Sequence, residues 1–116
     1  KIAEISDRSV IHIVNVAHAG DVNIHPLMLF YQRYREQVAR AMAAGKEILN
    51  ECIRLGGSIT AEHGIGVEKI DLMEKLFKPE DLDAMRRVRQ AFDPAGRLNR
   101  GKALPAAHIP EENQPV

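Results

Sequence analysis

The sequence of 116 residues has little of what marks secreted, membrane or nucleic-acid-binding proteins. A single cysteine, Cys52, excludes an internal disulfide, which is compatible with a cytoplasmic location. No apolar run approaches the roughly 18 residues that a membrane-spanning helix needs. Basic and acidic side chains balance at 16 each, so the charge gives no reason to expect a nucleic-acid partner. The chain begins at Lys1 without an initiator methionine or an apolar signal core, which is typical of a sequence that starts inside a larger protein.

Hydrophobic residues make up 45% of the chain and charged residues 28%, a composition typical of a globular unit. Its length corresponds to one domain or part of one. A domain of this size buries only about two-thirds of the surface of its unfolded chain. We therefore expect its stability to depend on a partner or on self-association, and a homo-oligomer is one expected form.

Two strands are predicted in the first quarter of the chain. Residues 9–17 are rich in β-branched side chains and predict a strand. A second apolar run extends from Ile24 to Phe30 and contains Pro26 near its start. Because proline lacks a backbone N–H, this strand should begin at Pro26, lie at an edge, or have a bulge there.

Three helices are predicted after the strands. Apolar residues at spacings of three and four predict a helix over residues 33–55, which Gly56-Gly57 should end. A second helix should run from about residue 67 to Leu76, and a third should begin near Pro79. The sequence therefore predicts an α+β fold, a small antiparallel sheet with helices packed on one face. We expect residues on the N-terminal side to complete this sheet.

His18 and His25 lie at the two sides of a polar segment between the predicted strands. In a tight hairpin centred on Asp21-Val22, the two histidines would be directly opposed, with their Cβ atoms about 5 Å apart. Two imidazoles at that separation can bind one divalent ion, since each metal–nitrogen bond is about 2 Å long. The spacing therefore predicts a metal-binding pair.

Glu62 and His63 lie in a loop that contains Gly64 and Gly66, and we expect the two residues to have different roles. Adjacent side chains on an extended backbone tend to diverge, so both are not expected to bind the same ion. We expect Glu62 to join His18 and His25 on the metal and His63 to act as a general base near neutral pH. Two histidines and one carboxylate leave coordination positions open, as a catalytic site requires.

Structural interpretations of these residues remain open at this point. His18 is also suited to capping the hairpin, His25 to a hydrogen bond in the core, and Glu62 to a surface position beside a turn. Cys52 is expected to be an inert core thiol. His12 is interpreted as a sheet residue and His108 as a residue of the tail. The arginine cluster of the third helix is interpreted as a solvated face, with contact to a flavin phosphate or a partner as the alternative; it consists of Arg86, Arg87 and Arg89.

Three segments resemble motifs of the FAD-linked oxidases of the vanillyl-alcohol oxidase superfamily. Residues 18–26 (HAGDVNIHP) resemble HAGDGNLHP, and residues 56–66 (GGSITAEHGIG) resemble the segment that ends in EHGIG. Residues 92–102 (FDPAGRLNRGK) are similar to the closing FDPxGxLNPGK. Their order and spacing agree from about residue 8 to residue 104. The chain thereby resembles the group containing glycolate oxidase, D-lactate dehydrogenase and D-2-hydroxyglutarate dehydrogenase.

The resemblance implies an oxidoreductase that converts a small D-2-hydroxy acid to a 2-oxo acid, with FAD as the hydride acceptor. It implies zinc or manganese held by His18, His25 and Glu62, with His63 as the base. Asn23 and Asn99 match motif asparagines and are expected near the site or the flavin. FAD would be bound mainly by an FAD-binding domain or subunit outside this chain.

As a domain organisation, the resemblance implies a partial C-terminal substrate domain over residues 1–104, part of a ferredoxin-like domain incomplete at its N-terminus. A flexible tail over residues 105–116 is expected to follow. Two departures from the motifs are Val22 and Arg100, where the motifs have glycine and proline. The chain alone is expected to be inactive without a hydride acceptor. The alternatives are a non-catalytic metal-binding or oligomerising remnant and a metal-dependent hydrolase.

Overall fold

The structure is a computed structural model that describes residues 1–106, and its helices and strands fall in two compact units. The first unit covers residues 1–61 and contains α1 (Ile2–Ser9), β1 (His12–His18), β2 (Asn23–Leu29) and α2 (Arg35–Arg54). The second begins at Glu62 and contains α3 (Ile70–Leu76) and α4 (Pro79–Phe92). The predicted α+β class is confirmed.

The sheet of the first unit is an antiparallel ribbon of β1 and β2. His12 pairs with Leu29 at one end, and His18 pairs with Asn23 at the other. Pro26 lies within β2 opposite Asn15. Since each strand of a two-stranded sheet is an edge, a residue without an N–H is tolerated there. Of the three alternatives predicted for this proline, the edge position is confirmed.

The helix α1 was not predicted, and it moves the start of the first strand from Ser9 to His12. The helix ends because Val10 takes a left-handed backbone conformation, with φ of 55°. The Ser6 hydroxyl donates a hydrogen bond of 2.7 Å to the carbonyl oxygen of Ile11, which fixes the exit of the chain. Residues 9–11, predicted as strand, are therefore the helix end and the turn into β1.

The core of the first unit lies around α2, whose predicted extent is confirmed to within two residues at each end. Ala41 and Ala44 are both 2% exposed, and their small side chains allow close packing. A Cβ atom on Gly45 would lie 3.1 Å from the Cε atom of Met28 in β2, so the glycine makes room for the Met28 side chain against α2. The other buried side chains of this unit are Ile5, Ile11 and Ile59.

The C-terminus of α2 ends in the Gly56-Gly57 pair, as predicted. Gly56 has a φ of 79° and donates its N–H to the carbonyl of Ile53, while Gly57 donates to the carbonyl of Cys52. This pair of bonds is the Schellman arrangement, which satisfies carbonyls that the helix end leaves unpaired. The Cys52 thiol donates to the carbonyl of Ser58 at 3.1 Å and is half-buried.

The second unit is built on α3 and α4, and Leu72, Met73 and Leu82 are its buried side chains among the described residues. Its first helix begins at Ile70, about three residues later than predicted. Its second helix begins at Pro79 as predicted, and the Asp81 carboxylate accepts the N–H of Lys78 at 3.1 Å. This bond caps one of the amides that a helix start leaves unpaired.

The segment after α4 has no regular secondary structure, but specific hydrogen bonds hold it in place. The Asp93 carboxylate accepts the N–H groups of Arg97 and Leu98 at 2.9 and 2.7 Å, and these bonds lower the pKa of that carboxyl. The Arg89 guanidinium donates to the carbonyls of Leu98, Asn99 and Lys102 over 2.5 to 2.9 Å. Residues 93–102 are therefore attached to the C-terminal half of α4.

None of the helices within residues 1–106 combines the length and the apolar character needed to cross a membrane. Most of the predicted tail, together with His108, lies outside the described residues, which end at Ala106. The assignment of residues 1–104 to one partial domain stays a prediction.

Candidate metal centre

The loop between the two strands spans Ala19 to Val22 and sets the register of the ribbon. The N–H of Asp21 donates to the carbonyl of His18 at 3.4 Å. Val22 takes a left-handed conformation, with φ of 58°, at the position where the motif has glycine. His18 consequently pairs with Asn23, and Val16 pairs with His25. The predicted hairpin, with His18 directly opposite His25, is wrong by two residues.

The two histidines nevertheless share one face of the ribbon, because a displacement by two residues returns each side chain to the same side. They are diagonal neighbours, a relation close enough for long side chains to meet. The ring centroids of His18 and His25 are 5.1 Å apart, and the ring planes are inclined at 64°. The structure therefore brings the two predicted ligands together through a pairing that the sequence analysis did not foresee.

The nitrogen geometry of this pair suits a divalent ion. One ring nitrogen from each histidine lies within 4.8 Å of the other. Two metal–nitrogen bonds of about 2 Å place bound nitrogens at most about 4 Å apart, so a small rotation of a ring closes the difference. His18 is exposed, whereas His25 is half-buried and its Nε2 atom is shielded from solvent. The pair combines one exposed candidate ligand with one half-buried candidate ligand.

Glu62 and His63 are the first residues of the second unit, directly after Ala61 at the end of the first. The expectation that their side chains diverge is wrong, since His63 Nε2 lies 3.8 Å from Glu62 Oε2. This distance is too long for a hydrogen bond but short enough for electrostatic attraction when the imidazole is protonated. The His63 side chain is 76% exposed and that of Glu62 is 46% exposed, so both are accessible to a ligand.

The two motif asparagines have different settings. Asn23 is half-buried and pairs with His18, so its side chain projects on the histidine face. Asn99 lies in the second unit in a left-handed conformation, with φ of 45°, and its carbonyl accepts from Arg89. The contribution of either residue to cofactor binding stays a prediction.

Sequence analysis did not single out the apolar side chains that share the face of His18 and His25. Alternate residues along the two strands project on this face, and their exposed fractions range from 41% to 57%. These residues are Val14, Val16, Leu27 and Leu29. The signal that could have found them is the two-residue period counted back from His18 and forward from His25. His12 has the same orientation at the far end of β1.

Comparison with known proteins gives a match over nearly the whole chain. The family model described as "FAD linked oxidases, C-terminal domain" matches residues 1–103. The glycolate oxidase subunit GlcD of Escherichia coli strain K12 is 45% identical over 107 residues, which cover 92% of this chain and 21% of that protein. A D-lactate dehydrogenase of Archaeoglobus fulgidus is 36% identical over 101 residues, 87% of this chain and 22% of that protein.

A D-2-hydroxyglutarate dehydrogenase of Stutzerimonas stutzeri is 33% identical over 96 residues, 81% of this chain and 21% of that protein. The chain thus spans about a fifth of the length of the curated relatives it matches.

Proposed function

The chain belongs to the FAD-linked oxidases, as their C-terminal domain, and on this premise we propose that it is the substrate-side part of a flavoenzyme. The enzyme oxidises a small D-2-hydroxy acid, of the glycolate or D-lactate type, to the corresponding 2-oxo acid. The observation that carries the proposal is the convergence of the His18 and His25 rings on one exposed face. The names of three relatives, a glycolate oxidase subunit, a D-lactate dehydrogenase and a D-2-hydroxyglutarate dehydrogenase, support the substrate class.

The metal ligands in this proposal are His18, His25 and Glu62. The two ring nitrogens fit one divalent ion by their separation, and imidazole suits zinc and manganese in combination with a carboxylate. Glu62 is included because residues 56–66 resemble the family segment that ends in EHGIG. When bound, the ion would hold the substrate hydroxyl and lower its pKa.

The proton of the substrate hydroxyl passes to an imidazole nitrogen of His63. His63 is accessible, with its side chain 76% exposed. The hydride from the carbon that bears the hydroxyl requires FAD, held mainly by an FAD-binding domain or subunit. The substrate thereby loses one proton and one hydride and becomes a 2-oxo acid.

The remaining assignments place Asn23 and Asn99 at the cofactor or substrate. The side-chain amide of Asn23 projects beside His18 and offers both a donor and an acceptor to a bound hydroxy acid. The exposed apolar residues of the histidine face exclude water from the substrate once the flavin-bearing part covers them.

The metal site is tested by measuring the metal content of the purified chain after loading with zinc or manganese. We expect about one ion per chain, with affinity reduced at least about tenfold in His18→Ala and in Glu62→Gln because each loses a ligand. The matched control is His12→Ala, which removes a histidine from the same strand and face at the far end, about 20 Å from His18. No bound metal in the unchanged chain, or equal loss in His12→Ala, would contradict the proposal.

The catalytic role is tested in the flavoprotein that contains this domain, with glycolate, D-lactate and D-2-hydroxyglutarate as substrates and a dye as electron acceptor. We expect His63→Ala to reduce kcat by a factor of about 100 or more, with metal and flavin content unchanged. Unchanged turnover in His63→Ala would refute the assignment of the base, even if the metal were bound as expected.

A further inference from the structure

The zero net charge of the chain conceals an uneven distribution along it. Residues 85–106 contain six cationic side chains and one anionic side chain, Asp93, which is an excess of five positive charges. The rest of the chain carries the same excess of negative charge, since the total is zero. The cationic residues are Arg86, Arg87, Arg89, Arg97, Arg100 and Lys102.

A groove of about 440 Å³ lies in this segment, between α4 and the residues that follow it. Arg86 and Gln90 contribute one wall from successive turns of α4. Gly96 and Gly101 contribute to the other wall, and a Cβ atom at either position would meet nothing within 4 Å. A ligand can therefore approach the backbone of that wall closely.

The two arginines of the groove differ in how fully their donors are used. Arg89 is committed to three carbonyls, as described above. Among the described residues, Arg86 makes two long contacts, of 3.5 and 3.4 Å, from one terminal nitrogen to the carbonyls of Pro105 and Ala106. Its buried Nε atom has no acceptor among the residues that the structure describes. Since a guanidinium has five N–H donors, the described residues use only a part of the hydrogen-bonding capacity of Arg86.

Among the described residues that line the groove, the two arginines outnumber the one acidic side chain, Asp93. Within residues 62–106, Arg87 forms an ion pair with Asp83 at 2.6 Å, and Arg86 forms none. Asp93 also lines the groove, and its carboxylate accepts the N–H groups of Arg97 and Leu98, which stabilise its ionised form. At position 100, where the motif has proline, arginine adds another cation beside this wall and donates to the carbonyl of Gly96.

We propose that this groove binds a phosphate-type oxyanion, with the Arg86 guanidinium as its principal contact. Gln90 and the backbone at Gly101 complete the site. A guanidinium binds phosphate oxygens through two parallel charge-assisted hydrogen bonds, and the surrounding excess of positive charge favours a dianion. This site involves none of the residues assigned to the metal centre or to proton transfer, so the result of its test does not depend on the proposed function.

The proposal is tested by titrating the isotopically labelled 116-residue chain with inorganic phosphate in about 150 mM chloride, a salt level that screens loosely held ions. We expect saturable NMR shifts at the amides of Gly96 and Gly101, with a dissociation constant on the order of 1 mM. Arg86→Gln should weaken binding at least about fivefold because the charge-assisted bonds are lost.

Arg87→Gln is the matched control, because it removes the same charge from the adjacent residue, which does not line the groove. Its affinity for phosphate should stay within about twofold of the unchanged chain, since only a screened long-range charge is lost. Equal weakening in the two variants would overturn the proposal, as would shifts that increase linearly without saturation. Gln90→Glu is a second variant that keeps Arg86 in place, and its added carboxylate should also weaken binding by repulsion.

The source of the phosphate is distinguished by two further probes, adenosine diphosphate and vesicles of phosphatidylglycerol. Tighter binding of adenosine diphosphate than of inorganic phosphate, with the same dependence on Arg86, assigns the site to a nucleotide. Vesicle binding that Arg86→Gln reduces more than Arg87→Gln assigns it to a lipid headgroup. Vesicle binding that both variants reduce equally, without any response to soluble phosphate, would overturn the groove as a site because it reports net charge alone.

Discussion

Val22 combines a β-branched side chain with a left-handed backbone, which costs about 1–2 kcal/mol in an L-residue other than glycine. Burial does not offset this cost, because the Val22 side chain is 85% exposed. The strain is instead balanced by the pairing of β1 with β2 on either side of the loop, which over-determines the conformation at position 22.

We therefore expect Val22→Gly to raise the free energy of unfolding by about 0.5–1 kcal/mol, after subtraction of the extra chain entropy that glycine gives the unfolded state. Urea unfolding measures the difference. Val14→Gly is the control, since Val14 lies in the extended strand β1 and the same substitution should be destabilising there. A loss of stability in Val22→Gly would mean that its left-handed conformation is not strained.

Only part of the arrangement of the candidate site residues could be predicted from the sequence. The placement of His18 and His25 on one face followed from the two-residue period of strands, whereas the register of the strands depended on how Val22 would accommodate a position suited to glycine. Propensity alone could not decide between a changed turn and a strained residue, because the answer depends on the pairing energy of the whole ribbon. The approach of Glu62 to His63 depended on loop torsions that no periodic pattern reports.

At the scale of the elements, the two glycines of the Gly56-Gly57 pair that ends α2 are needed for different physical reasons. Gly56 supplies the positive φ of 79°, and Gly57 supplies space. A Cβ atom on Gly57 would lie 2.7 Å from the Sγ atom of Cys52 and 3.2 Å from the Cys52 carbonyl oxygen, distances at which the neighbour must move. The thiol of Cys52 therefore has a role in packing against the helix end.

Gly57→Ala is expected to lower the free energy of unfolding by about 1–3 kcal/mol because the added methyl group overpacks this site. Gly20→Ala is the matched control, since a Cβ there meets nothing within 4 Å, and its effect should stay within about 0.5 kcal/mol. In a double-mutant cycle measured by thermal unfolding, Cys52→Ala should reduce the cost of Gly57→Ala. Additive effects of the two substitutions would show that the thiol is not the obstacle.

Among the elements, α2 and the start of α4 were predictable because long amphipathic spacing and a proline in the first turn are strong local signals. The helix α1 was missed because its eight residues are fewer than the roughly 11–18 over which a helical period is assessed, and because its end depends on Val10, a residue that rarely adopts a left-handed conformation. Strand β1 began late for the same reason, since the turn after α1 occupies residues whose side chains favour a strand.

At the scale of the whole molecule, the main feature is an apolar face of the ribbon that none of the residues in the first unit covers. Its exposed side chains are Val14, Val16, Leu27 and Leu29. Within residues 1–106 each strand also has one edge along which no further strand pairs, and β1 has neither a charged residue nor a proline to discourage strand addition. Such a surface favours association.

We accordingly expect the 116-residue chain to self-associate as its concentration rises, in sedimentation velocity experiments. Val14→Lys should shift the chain towards the monomer, because a charge on the apolar face must otherwise be buried. Val88→Lys is the control, as Val88 is similarly exposed, at 61%, but lies on α4 in the second unit. A monomer at all concentrations, or an equal shift in both variants, would contradict this prediction.

The diagonal placement of His18 and His25 has a consequence for insertions and deletions during evolution. The histidine pair depends on the parity of the strand positions rather than on one particular pairing, since two alternative registers both leave the rings on one face. A slip by two residues preserves the shared face, whereas the gain or loss of one residue within β1 sends His18 to the opposite side. Length variation in this hairpin is therefore constrained to even steps within the strands, while the loop from Ala19 to Val22 is the place where single residues can be added.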